Sequence, residues 1–589
     1  MKLGNVVSSG LLLAATLASQ PAPAQDPALN PAVDWIRQHA IPISTVQAGH
    51  GFSDLQPLKP VIHDARIVEL GEATHGTREF FQLKHRMVEF LASQMGFTIF
   101  SIEANMPEAY RLNDYVLNGA GDPKELLKGM YFWTWNTQEV LDMILWMREF
   151  NKAGGRLQFT GFDMQTPTLS LDLVRKFVGR YDLAYAEPLE ASWKDVLASG
   201  TAQQNRFGVA TATFPVTAAA GHHIRFSGYI QTKDVTQGFA GLWWRVDGAP
   251  GGSPLAFDNM SDRGPSNTTP WTRYEISLDV PKEARNINFG VLHTGTGEAW
   301  FDTLNVEIDG APYTDAGTFD LDFEASTPRG FFTGGAGYAV APDLDNPHTG
   351  KQSLHSRSLG AAFEPMVDNA KAVQNCRSVL EHLTAQRPAY LSAGAGAQET
   401  DWAIQSARLV LQSVQMKTGE VTRDESMAAN IAWIAGQNPG AKIIVWAHNG
   451  HVAYDGTGSP MGSYLRKAFG SQLINFGFAF NQGSFQSVEM GSTGSGSSKG
   501  LHDFTVGPAP DLTLDHALAA AGIPILALDL RQLPKAGPVA QWFAQPRRTR
   551  SIGAGYSDAL APQLWSETPA PQAYDALLFV ETTTAARRN

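Results

Sequence analysis

Ile67-Val68-Glu69-Leu70-Gly71-Glu72-Ala73-Thr74-His75-Gly76-Thr77 passes from an apolar run, through a glycine-flanked polar turn, into a helical pattern that lasts to Met95. A second apolar run, Thr98-Ile99-Phe100-Ser101-Ile102, follows and leads into another helical stretch. Short apolar runs alternating with long helical patterns predict βαβ units and a parallel sheet, because each crossover helix returns the chain to start the next strand in the same direction. Further along, Leu157-Gln158-Phe159-Thr160-Gly161-Phe162 precedes a helix over Leu169 to Tyr181. After about Leu359 the rhythm returns, with strands predicted at Ile443 to Trp446, Leu473 to Phe478, Ile525 to Leu528 and Ala576 to Val580. The fold class expected is α/β, a mostly parallel sheet flanked by helices, in one domain divided between residues 25–199 and 359–589.

Between residues 200 and 358 the hydrophobic period drops to two, as in Ile224-Arg225-Phe226-Ser227-Gly228-Tyr229-Ile230 and Ile287-Asn288-Phe289-Gly290-Val291. Dense Gly, Pro, Asn and Asp punctuation predicts short antiparallel strands in a sandwich inserted into the α/β domain. On Gly241-Leu242-Trp243-Trp244-Arg245, Trp271-Thr272-Arg273-Tyr274 and Ala299-Trp300-Phe301-Asp302, this insert resembles jelly-roll carbohydrate-binding modules. The segment from Asp322-Phe323-Glu324 to Gly350-Lys351-Gln352-Ser353-Leu354, which opens such modules, here follows the other strands, and this predicts a circular order. Trp243, Trp244 and Trp271 are candidates for stacking on sugar rings, although tryptophans inside a sandwich are more often core.

The first 24 residues read as an export signal: Lys2, an apolar run around Leu11 to Leu17, then Ala22-Pro23-Ala24. About 565 residues remain, ample for a large core. A periplasmic or secreted location is expected, and no later apolar run has the roughly 18 residues of a membrane span. The net charge of −12 argues against nucleic acid as a partner, which calls for clustered positive charge. Cys376, the single cysteine, forms no intramolecular disulfide and is expected to be a buried apolar residue on a helix.

The densest polar group sits where the first strand gives way to its helix, and open α/β sheets place ligands at such strand ends. Glu72 and His75 share one short connection, so the carboxylate can orient the imidazole. Counted as a helix from His75, Arg86 falls on the histidine's side and Lys84 points away unless the helix starts later. Glu103, Asp163, His448 and His451 stand at or just past the ends of three other predicted strands, and Arg423 opens a helix. Each alone has a bland reading as a cap, a solvated carboxylate or a surface salt bridge; together they predict a cleft.

The Gly71-Glu72-Ala73-Thr74-His75-Gly76 turn, Glu79-Phe80, Lys84, Arg86, Glu103, Gly161-Phe162-Asp163, Arg423-Asp424 with Met427-Ala428 and Asn430, and Ala447-His448-Asn449 with His451 resemble the erythromycin esterase family, in the family's order. The resemblance implies a hydrolase in which His75 is the general base for water and Glu72 orients it. It further implies that His448, Glu103 and a basic residue at Lys84 or Arg86 line the site. Asp163, Arg423 and His451 form a second set, expected at the substrate. A small-molecule ester or a macrolide lactone is the expected substrate, with carbohydrate a candidate partner of the insert. No cofactor or metal is required by this reading. Two alternatives stay open: a metallohydrolase using Glu72, His75, Glu103, His448 and His451 as ligands, and a noncatalytic glycan-binding envelope protein. The literal serine-hydrolase match, Gly496-Ser497-Ser498-Lys499-Gly500, lies in a glycine-serine loop without a following helix and is set aside.

Overall fold

The computed structural model describes residues 29–200, 207–248, 254–314, 317–335, 337–359, 369–455, 459–490, 500–558 and 561–589. The expected export signal over 1–24 and most of the 496–500 serine motif lie outside the described residues. Contacts within the chain form two compact units, a smaller one with the chain up to His63, Glu72–Arg86 and Phe476–Ala586, and a larger one with Asp64–Gly71, Met87–Asn475 and Arg587–Asn589.

The quoted stretch folds as β1 (Ile67–Leu70), a turn, and α1 (Arg78–Met95). The chain continues as β2 (Ile99–Asn105), α2 (Met106–Asn118), β3 (Gln158–Asp163) and α3 (Thr168–Tyr181). All residues of β1 and β2 are buried, which is why both read as continuous runs with no alternation: a parallel sheet is covered on both faces. The pairing of β2 with β3 shifts register between Ile102 and Asn105, at the point where Glu103 stands. Gly161 is needed beside that irregularity, since a Cβ there would come 2.4 Å from the Ala104 carbonyl oxygen.

Within the larger unit the chain then forms antiparallel strands, among them β4 (Phe207–Thr213), β5 (His223–Val235), β6 (Ala240–Asp247), β7 (Asn267–Asp279), β8 (Asn286–Thr294), β9 (Glu298–Ile308) and β10 (Ser353–Ser358). β4, β8 and β6 belong to a five-stranded sheet, and β10, β9, β5 and β7 to a six-stranded one. Phe226, Trp244, Phe289, Phe301 and Phe323 share one buried core. Trp244 is therefore a core residue, whereas Trp243 and Trp271 are partly exposed. Phe323 sits in that core, and the Gln352 side chain donates to the Phe323 carbonyl, which ties together the two ends of the 322–354 segment.

The α/β pattern resumes with α4 (Asn369–Ser392), α5 (Ala397–Thr418), α6 (Arg423–Gln437) and β11 (Ile443–Trp446). β11 lies between β1 and β2 and runs parallel to both, so the larger unit's order is β1-β11-β2-β3. In the smaller unit, β12 (Leu473–Glu489) pairs antiparallel with β13 (Leu501–Val506) and parallel with the last strand, Ala576–Thr583, which pairs antiparallel with Ile525–Asp529. Cys376 on α4 is buried as expected, and burial pushes its thiol up to about 12. Among the described residues no helix is long and apolar enough to cross a membrane.

Candidate active site

The turn after β1 is pinned from several sides. Gln486 on β12 and Ala586 both donate to the Gly76 carbonyl, and Ile552 donates to that of Ala73. Gly76 allows this approach, because a Cβ there would lie 1.9 Å from the Gln486 carbonyl oxygen. The pinned turn presents Glu72 and His75 to each other: His75 Nδ1 lies 2.6 Å from Glu72 Oε1. Lys84 Nζ donates to the second oxygen, Oε2, also at 2.6 Å. Glu72 and Lys84 are fully buried, while His75 keeps a tenth of its side chain exposed.

Burial works against a charged Glu72, but the Lys84 ammonium beside it and the hydrogen bond from His75 prevail and hold its carboxyl below the usual range. An ionised Glu72 accepts hydrogen bonds only, so Nδ1 of His75 carries the ring proton and Nε2 is the basic atom of the neutral ring.

A second polar cluster is built at the carboxyl ends of β2, β3 and β11 with the start of α6. Arg423 donates through Nε and Nη2 to Asp163, at 3.2 and 2.7 Å, and through Nη2 to Glu103 Oε1 at 2.7 Å. The other oxygen of Glu103 accepts the backbone N–H of His448 at 2.9 Å. Trp135 Nε1 donates to the Glu103 carbonyl and fixes that strand end. His448 Nδ1 accepts the Gly450 N–H at 3.1 Å, so this ring is neutral and bears its proton on Nε2 as a donor.

His451 lies among charges. Its Nδ1 meets Asp424 Oδ1 at 2.8 Å, and its Nε2 lies 3.4 Å from Glu103 Oε1 and 3.0 Å from Arg423 Nη1. Burial opposes a charge on the ring, yet Glu103 and Asp424 push it up to about 10. The contact with Arg423 would instead need a lone pair on Nε2. Geometry favours the imidazolium form: both ring nitrogens face a carboxylate, Nδ1 that of Asp424 and Nε2 that of Glu103, so each N–H has an acceptor. Coulombic attraction to Asp163 and Glu103 likewise outweighs burial and keeps Arg423 charged.

Sequence reasoning placed Arg86 beside His75, and this needs correction. α1 begins at Arg78, three residues later than the count assumed, and residues 75–77 form a turn that breaks the helical phase. Lys84, not Arg86, therefore reaches Glu72. Arg86 donates to both oxygens of Asp54, at 2.6 and 2.9 Å, and to the carbonyls of Thr45 and Gly51, so it anchors the 45–54 segment. Asp163 is fully buried with its oxygens committed to Arg423, Met164 and Gln165, whereas Arg423, His451 and Asp424 each keep about a fifth of the side chain exposed. Asp424, next to Arg423, receives the Met461 N–H as well, a contact for which the sequence carries no signal.

The sequence profile of the erythromycin esterase family matches residues 92–224 and 343–583, more than half of the chain. The chain belongs to the erythromycin esterase family. The interval between the two matched segments falls within the antiparallel strands, and the first segment begins after the Gly71–Gly76 turn. Over 135 residues the chain is 33% identical to erythromycin esterase type II of Escherichia coli, a match covering 22% of this chain and 31% of that protein. The chain spans about a third of the length of the curated relatives it matches. Two solved structures share the fold: a Bacillus cereus protein (TM-score 0.59, 17% identity, 95% of this chain and 99% of that one) and a succinoglycan biosynthesis protein (TM-score 0.58, 18% identity, 96% and 100%).

Proposed function

We propose that this protein is an exported esterase of the erythromycin esterase family that cleaves a carboxylic ester or lactone with water activated by His75. The observation that carries the reading is the 2.6 Å contact of His75 Nδ1 with Glu72, itself held ionised by Lys84. His75 Nε2 takes a proton from water as the water oxygen attacks the carbonyl carbon, and the carbonyl π electrons move onto oxygen. Collapse of that tetrahedral species breaks the ester C–O bond, and the imidazolium returns its proton to the departing alkoxide. Glu72 stabilises the imidazolium while it lasts, and no covalent intermediate on the protein is required. Lys84 acts through Glu72 as a positioning residue. On the larger unit, taken by itself, Glu103, Asp163 and His451 hold Arg423 in place as a cation suited to an anionic or carbonyl oxygen.

A metal-dependent mechanism finds less support, because the oxygens of Glu72 and Glu103 already accept hydrogen bonds from His75, Lys84, Arg423 and the His448 N–H, and a cation would have to displace these donors. The substrate range proposed comprises macrolide lactones and esters on envelope glycoconjugates, with Trp243 and Trp271 of the antiparallel region as candidate sugar contacts. The test is an ester panel, including a macrolide and an acetylated polysaccharide, on wild type and His75→Ala with and without chelator. Loss of about 10²- to 10⁴-fold in kcat is expected for His75→Ala. Unchanged turnover in that variant overturns the mechanism, and activity lost to chelator but restored by metal favours the metallohydrolase. Sugar binding without turnover of any ester supports the noncatalytic reading.

A further inference from the structure

A cavity of about 230 Å³ opens in the smaller unit among Val506, Arg550, Ile552, Tyr556, Leu564 and Trp565. Pockets for drug-sized ligands run to roughly 300–1,000 Å³, so this one takes a ring-sized group and excludes a whole macrolactone. Its wall joins the catalytic turn directly, since the Ile552 N–H donates to the Ala73 carbonyl at 2.6 Å and Thr74 bridges to Ile552.

Arg550 is the one cation among the described residues of this wall. It is 7% exposed, with Cζ 5.0 Å from the Trp565 ring and 5.3 Å from that of Phe480. Nη2 donates to the carbonyls of Asn481 and Gly507, while Nε is buried with no partner among the described residues. A guanidinium cannot shed its proton, so Arg550 is a buried cation whose hydrogen-bond acceptors are neutral carbonyls and whose Nε lacks one among the described residues. Among the described residues no acid is hydrogen-bonded to the guanidinium. Asp515, whose carboxyl burial pushes up to about 6, still ionises at neutral pH and acts on Arg550 through space, but its oxygens take the Thr549 hydroxyl and the backbone N–H of Arg550 rather than the guanidinium. Asp558, also in the pocket lining, is exposed and accepts the Tyr556 hydroxyl.

We propose that this pocket binds a monocarboxylate borne on a flat apolar group, the carboxylate pairing with Arg550 and the apolar body packing against Ile552, Leu564 and Trp565, and that it thereby selects esters carrying a free carboxylate. One guanidinium balances one negative charge, and its fork matches carboxylate geometry. The selection of esters rests on the hydrolytic reading above; the binding of carboxylate does not.

The probe is benzoate, with benzamide as its uncharged counterpart and inorganic phosphate as an anion without the ring, followed by ligand-observed NMR on the full chain. Wild type is expected to bind benzoate at least about 10-fold more tightly than benzamide, as the loss of a charge-assisted hydrogen bond implies. Arg550→Gln and Leu564→Trp should each abolish that preference, and His75→Ala should keep it. Leu564→Trp fills the cavity while leaving Arg550 in place, so it reports on the site even if Arg550→Gln does not fold. No benzoate binding by wild type, equal binding of benzoate and benzamide, phosphate binding as tight as benzoate, or benzoate binding unchanged in Leu564→Trp overturns the proposal. In turnover, the preference in kcat/KM for a carboxylate-bearing ester over its neutral methyl ester should fall about 10-fold in Leu564→Trp. If His75→Ala stays fully active while benzoate still binds, the hydrolytic mechanism fails and the pocket stands.

Discussion

Lys84 and Glu72 are both fully buried and 2.6 Å apart, so removing either leaves an uncompensated charge in the interior. Lys84→Met is expected to cost about 3–5 kcal/mol, read as a shift in denaturant midpoint. The sign with pH follows from the depressed carboxyl of Glu72: its contribution is present above the ordinary carboxylate pKa and is lost as pH falls through the lower folded value. The stability gap between wild type and Lys84→Met should therefore be widest near neutrality and close toward acid; a gap that is the same at both ends would refute the pairing. Glu108 behaves in the opposite sense. It is 1% exposed, its carboxyl oxygens have no partner among the described residues, and burial pushes it up to about 7. Stability should fall as pH rises from about 4.5 to about 7 and then level off, because the native state holds this proton longer than the unfolded chain. Glu108→Gln should remove that slope, a difference of up to about 3 kcal/mol between pH 5 and pH 8 in urea unfolding. An undiminished slope in the variant would assign the effect elsewhere.

At the scale of elements, the pinning of the turn between β1 and α1 against β12 depends on Gly76. Gly76→Ala drives a methyl into the Gln486 carbonyl, and backbone on one side must yield. The expected result is a loss of about 1–3 kcal/mol together with a fall in kcat, as Glu72 and His75 lose their fixed relation. Gly179, inside α3 with nothing near its missing Cβ, is the control: Gly179→Ala should gain up to about 1 kcal/mol and leave kcat alone. Equal effects at the two glycines would mean that the turn is not held by close approach. The helix start explains the misplacement of Arg86 in the same terms. A 3.6-residue period fixes which residues share a face but not where the phase begins, and the 75–77 turn shifted it.

At the scale of the whole molecule, Cys376 is a reporter of unfolding. It lies 1% exposed in a core with Val174, Trp193 and Tyr390, and its thiol stays protonated at neutral pH. Labelling by an aromatic disulfide reagent should be slow in the native protein and should accelerate along the denaturation curve. Fast labelling of fully active protein would show that this core opens locally.

The α/β class, the run of antiparallel strands and the pairing of His75 with Glu72 were legible in the chain, because each depends on residues close in sequence: runs of one period, or two side chains on one turn. Glu103, Asp163, Arg423 and His451 could be singled out by position at element ends, but their mutual geometry joins residues up to 320 apart. The cavity around Arg550 had no sequence signal at all. Its polar and aromatic members are unremarkable in order along the chain, and only the return of the last hundred residues against the Ala73–Thr74 turn makes a wall of them. Local periodicity is an intrinsic property of a chain, whereas the company a buried charge keeps is settled by which distant backbone packs over it.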